Sequence, residues 1–317
     1  MRPVLSAAFC ALISLPAHAD VDAALDAHVL PGMDRLTDAT AALAIAPCGT
    51  EAQRDAFAGA ARAWAGVSHL TFGPAEENGR ARAIEFWPDT RDATGRGLRL
   101  LIEQGPDAWT SEAIARASVA ARGLGALERL IYEQEGEPCA LTSALASDLA
   151  ATAAAIRDDW RDGFAETMRS AGQDGNTRFL DESEAAAALF TALLTGLEQT
   201  ADARLGAPLG TFDQPRANRA ELRRAGLSLA MITESLTAAR ELAAALAPAP
   251  QTDAALARAV GEAERLADPA LAGVAEPMSR VRIEALQTSI RSAIDIAAAE
   301  LGPALGVQAG FNSADGD

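Results

Sequence analysis

The sequence contains no lysine: all 27 of its basic side chains are arginines, set against 44 acids for a net charge of -17. The abundance of alanine beside arginine attributes this to a GC-rich coding bias. The acidic balance excludes nucleic acid and anionic membrane surfaces as partners. Aromatics make up 4% of the residues, with a single tyrosine, and alternating β-branched runs are nearly absent, which excludes a sheet-based fold. Histidines number three. There is no H-E-x-x-H, no G-x-S-x-G and no phosphate-cradling glycine loop, so the common hydrolase and nucleotide sites are missing. After the first twenty residues no segment reads as long and uncharged enough to cross a bilayer.

What is present begins with a leader. Met1 and Arg2 precede the apolar run "VLSAAFCALISL", and "AHA" before Asp20 supplies the small residues read by signal peptidase. Pro16 breaks the run, and Cys10 lacks the context of a lipid-modified cysteine. The expectation is a signal peptide over 1–19, cleaved near Ala19–Asp20, and a periplasmic product. Two cysteines then remain, Cys48 and Cys139, and an oxidising compartment favours their pairing over two buried thiols. Closing that loop would stabilise the fold by roughly 4–5 kcal/mol on the chain-entropy model.

The mature chain reads as all-α. Apolar periodicity predicts helices near 20–44, 51–70, 92–104, 111–121, 124–134, 138–171, 182–204, 217–246, 253–267 and 277–301. Thr50 with Gln53, and Asp181 with Glu184, form capping boxes ahead of two of them. "GQDGN" (172–176) is the clearest hinge, which suggests two packed helical bundles, 20–175 and 176–317. One non-helical stretch interrupts the pattern at about 71–95. It holds "EFWPD", with Trp87 ahead of a proline, and reads either as a functional loop or as a loop plugged against helix ends.

The segment "SVAARGLGALERLIYE" (118–133) carries the sharpest question. Leu124, Leu127 and Ile131 form a core-facing stripe that includes Glu128. A carboxylate buried there needs a partner. Tyr132 stands one turn away and could hydrogen-bond it; an arginine such as Arg99 or Arg122 could pair with it; or Glu128 could hold a cation. Further oxygen ligands are offered by Asp89 and by Asp315 and Asp317 in the terminal "GFNSADGD", a pattern that suits a hard cation or an ordinary acidic tail. Of the mature histidines, His69 reads as a helix-end residue or ligand, and His28 as a surface or interhelix polar residue.

"FGP" (72–74), "EFWPD" (85–89), "GLGALERLIY" (123–132), "LFTALLTGLE" (189–198) and "GFNSADGD" (310–317) occur in the order seen in the imelysin family, and over nearly the whole mature chain the sequence resembles that family. These are exported bacterial proteins, often iron-regulated and once classed as metallopeptidases. The resemblance implies two bundle-like helical halves with a site near their junction. In the family's Gly-x-His-x-x-Glu motif, Gly123 matches the glycine and Glu128 the glutamate, while Gly125 stands at the histidine position. Three functions follow as expectations: a non-enzymatic binding or accessory protein handling iron, another divalent cation or a small ligand; an interaction module docking an envelope protein through the 71–95 loop; and a metal-dependent peptidase, against which Gly125 argues because water-activating metals are normally held by imidazoles.

Overall fold

A computed structural model describes residues 20–133 and 138–307. Thr50 and Asp181 cap their helices as expected, while Gln53 and Glu184 reach back one residue past the cap, to Gly49 and Leu180. Thr50 accepts from the Gln53 N–H at 3.2 Å while the Gln53 side chain accepts from Gly49 N–H at 2.8 Å. Asp181 accepts from Ser183 N–H at 2.7 Å and Glu184 from Leu180 N–H at 2.6 Å. Each cap satisfies N–H groups that the first helical turn leaves unpaired.

The first half contains α1 (Val21–Ala24, a π turn at Leu25–Val29, then Leu30–Ile45), α2 (Glu51–Ala65), α3 (Arg80–Ile84), α4 (Ala93–Gln104), α5 (Ser111–Ala115), α6 (Gly123–Glu133) and α7 (Cys139–Asp159, a π turn at Trp160–Phe164, then Ala165–Arg169). The second contains α8 (Glu182–Glu198, a π turn at Gln199–Leu205, then Gly206–Leu209), α9 (Ser228–Leu246), α10 (Pro250–Leu266) and α11 (Pro277–Ala304). No strand occurs among the described residues; the one β-bridge joins Thr211 to Gln214. Helices α1, α2, α6 and α7 pack as one ring of four, and α8, α9, α10 and α11 close a second. The rings meet where α9 lies against α2 and the start of α1. The sequence places an apolar stripe of Leu141, Leu145, Leu149, Ile156, Trp160, Phe164 and Met168 along α7, and all of it is buried except the half-buried Phe164. Cys48 and Cys139 form a disulfide that ties the α1–α2 connection to the start of α7 across 91 residues.

Four expectations are corrected. Helix α9 begins at Ser228 rather than at 217, because Leu222 and Gly226 have positive φ and no helix can run through them. The 71–95 stretch is not irregular throughout; it contains α3 and two 3-10 turns. Helix α2 ends at Ala65, short of His69, and α5 at Ala115, followed by a 3-10 turn at Val119–Ala121. One helix, Cys139–Arg169, is long and apolar enough to cross a membrane by composition, with half of its most apolar window buried inside the fold, as a core helix would be.

Candidate functional site at the junction cleft

Gly123 opens α6 at φ +68°, and a β-carbon there would run into the carbonyl oxygens of Ala83 and Ile84. Only glycine lets α6 start flush against the end of α3. This close approach sets the extended 85–90 stretch beside α6, with the Trp87–Pro88 bond cis. The 218–224 segment, the irregular chain that replaces the expected helix start, covers the third side. Between them lies a cleft of about 90 Å³ lined by Glu85, Trp87, Asp89, Gly125, Glu128 and Arg219 among others.

The cleft's carboxylates are committed. Glu128 is 3% exposed. It accepts from the backbone N–H of Arg224 at 2.8 Å and of Ala225 at 3.1 Å, with the Arg224 guanidinium at 3.4 Å. Burial pushes its carboxyl above the usual range, against the lowering effect of these donors. Glu128 therefore clamps α6 to the irregular segment. Its ionic partner is Arg224, not Arg99 or Arg122: Arg99 is exposed on α4 and does not line the cleft, and Arg122 makes a paired contact with Asp148 at 2.8 Å. Tyr132 makes no hydrogen bond to Glu128; its ring packs edge-on against Phe57, with the Arg54 guanidinium 5.6 Å from its centroid. Asp89 accepts from the N–H groups of Thr94, Ala93 and Arg91 at 2.8, 2.9 and 3.3 Å, so it caps α4. Partial burial raises its pKa, but these donors outweigh it and hold the carboxyl below the ordinary value.

Behind the cleft wall lies a buried polar cluster that sequence reasoning did not single out. Arg204, 2% exposed, pairs with Glu221, 1% exposed, at 2.7 Å, and donates to Ser235 Oγ at 2.7 Å and Ser68 Oγ at 3.1 Å. Glu85 accepts from Trp64 Nε1 at 2.7 Å, and its other oxygen, like Glu221 Oε1, is buried without a hydrogen-bond partner among the described residues. Burial first, then the Glu221 charge, pushes the Glu85 carboxyl well above the usual range; Arg204 opposes them without prevailing. Glu85 thus carries the proton that lets two carboxyl groups meet.

His28 and His69, distant in sequence, also meet here. Their Nε2 atoms lie 3.1 Å apart, so one ring donates and the other accepts. Neither is a surface or simple helix-end residue: both are buried, and Glu241 Oε2 stands 3.5 Å from His28 Nδ1. Burial, then the proximity of His28 and Arg204, drives the His69 pKa well below its ordinary value, so the His69 ring stays neutral inside the fold. His28 and Arg204 both sit on π turns, which widen the helix locally and re-aim a side chain. One signal for Arg204 was legible. It continues the stripe Leu189, Leu193, Leu197 of α8, the pattern that drew attention to Glu128.

A resident metal ion does not fit these residues. The oxygens of Glu128 and Asp89 are occupied by N–H donors, Gly125 offers no ligand, and among the described residues no group of three His, Cys, Asp or Glu could hold a metal. Asp315 and Asp317 lie outside the described residues.

A family model described as Imelysin, whose name also carries a peptidase label, matches residues 15–297. The fold is similar to that of an imelysin-like protein from Psychrobacter arcticum 273-4, with a TM-score of 0.70 and 22% identity over 92% of this chain and 93% of that one. It is also similar to a protein described as an iron-regulated protein A precursor from Parabacteroides distasonis ATCC 8503, with a TM-score of 0.65 and 12% identity over 90% and 94% of the two chains. No curated protein matches the sequence.

Proposed function

The chain belongs to the imelysin family, and from that premise we propose that it is an exported, non-enzymatic binding protein serving iron acquisition at the cell envelope. In this reading the junction cleft holds a small ligand and not a bare metal ion. The observation that carries it is the state of the cleft's acids: Glu128 and Asp89 spend their oxygens on backbone N–H donors, and a glycine occupies the motif's histidine position. Export is supported by the leader-like first residues and by the Cys48–Cys139 disulfide, which needs an oxidising compartment to persist. The link to iron is supported by the description of the Parabacteroides distasonis protein.

The test is calorimetric titration of the mature protein with ferrous, ferric and zinc ions, together with incubation against casein. The expected result is no ion bound tighter than about millimolar, a free energy near -4 kcal/mol, and no cleavage with any added metal. Micromolar binding of a bare ion, or metal-dependent proteolysis, would contradict the reading.

A further inference from the structure

The cleft is poor in free acceptors and well supplied with free donors. None of its three acids is a free anion: Glu128 is held by the 224–225 backbone, Asp89 by the start of α4, and Glu85 accepts from Trp64 while burial holds its carboxyl well above the usual range. Its arginines differ. Arg129 pairs with Asp92 at 2.6 Å, and Arg224 pairs with Glu128 and Glu133. The side chain of Arg219, which also lines the cleft, has no hydrogen bond or ion pair among the described residues. The indole N–H of Trp87 and the side-chain amide of Asn218 are likewise free. Space is available at Gly125, where an added β-carbon would meet no atom within 4 Å.

We infer that this cleft binds a small monocarboxylate, its carboxylate on the Arg219 guanidinium and its carbon body over Gly125 against Trp87. The inference rests on the proposed binding role and names the ligand class for the same site. The planar guanidinium fork matches a carboxylate with two parallel N–H donors. A cavity of about 90 Å³ accommodates only a few heavy atoms. A dianion such as phosphate would bring a second negative charge toward Asp92 and Glu133, which pair with the lining residues Arg129 and Arg224, in a chain already at -17, so a monoanion is the better match. Glu85, holding its proton, adds no repulsion.

The probe is propionate, titrated into the 15N-labelled mature protein while the indole N–H signals of its four tryptophans are followed by NMR. The expected result is a saturable shift of the Trp87 signal with a Kd of a few millimolar or tighter. Propionamide and phosphate should bind at least tenfold more weakly. Arg219→Gln should weaken propionate at least tenfold, and Gly125→Leu, filling the space, should abolish it. Arg219 is surface-accessible and Gly125 faces open space, so both variants should keep the wild-type melting temperature. No saturable shift up to 20 mM, equal binding by Arg219→Gln, or tighter binding of phosphate would overturn the assignment. Tight binding of a bare ion in the calorimetric titration would instead defeat the parent reading and leave the propionate result to stand on its own.

Discussion

Replacing Glu85 by glutamine isolates the energetic consequence of the proton held behind the cleft wall. A glutamine keeps the shape of the neutral acid: its carbonyl can accept from Trp64, and its amide can donate to Glu221, whose partner is Arg204. In the wild type the folded Glu85 keeps its proton above 4.5, its ordinary value, whereas the unfolded chain releases it. The unfolded state then binds fewer protons, and stability falls by about 1.4 kcal/mol for each pH unit over which folded Glu85 stays protonated. His69 acts oppositely. Its folded pKa is lowered, so below 6.5 the unfolded chain takes up a proton that folded His69 refuses, and stability falls with acidification. Above 4.5 and below 6.5 the two slopes oppose each other. Glu128, raised by burial, adds to the carboxyl slope. Urea unfolding at pH 5.5, 6.5, 7.5 and 8.5, followed by circular dichroism, should show wild-type stability falling relative to Glu85→Gln as pH rises above 4.5. The difference between the two proteins should widen by about 1.4 kcal/mol for each unit over which folded Glu85 keeps its proton. Parallel pH profiles for both proteins would refute the protonated state of Glu85.

Other parts of the account are exposed to single measurements. Gly123→Ala should lower stability by at least about 2 kcal/mol in denaturant melts, from the positive φ and the collision with the α3 carbonyls; a loss under 0.5 kcal/mol would show that α3 and α6 do not approach as described. Glu128→Ala should cost about 3 kcal/mol, because it leaves the 224–225 N–H groups unpaired and removes Arg224's buried partner. Hydrogen exchange should then speed up in the 220–227 segment before the rest of the second half, and unchanged protection there would dispose of the clamp. Reducing the Cys48–Cys139 bond should lower stability by roughly 4–5 kcal/mol on the chain-entropy model, read as a shift in the urea midpoint.

The helices, both N-caps and the α7 core stripe were legible because each is written in local pattern: a cap three residues from its partner, a leucine every turn. The start of α9 was not. "ANRAELRRAG" has good helix formers, and positive φ at the non-glycine Leu222 is imposed by tertiary contacts that outweigh propensity. The cleft was partly legible: Trp87, Asp89, Gly125 and Glu128 share it, while Arg99 and Tyr132 do not line it. The buried cluster escaped because its members come from five distant segments, and because the π turns that re-aim His28 and Arg204 have no periodic signature. A carboxylate on an apolar stripe announces burial, but its partner must be found in space. Arg224 lies 96 residues from Glu128.

Glu128 is a structural clamp whose oxygens are already spent on N–H donors, so the glutamate of the motif does not await a metal. Restoring the motif's imidazole with Gly125→His tests it directly, since the open space at Gly125 admits a side chain. Zinc and ferrous titrations of this variant by calorimetry should show affinity no better than about millimolar, as for the wild type. Binding tighter than about 10 μM that disappears in the Gly125→His/Glu128→Gln double variant would contradict the account.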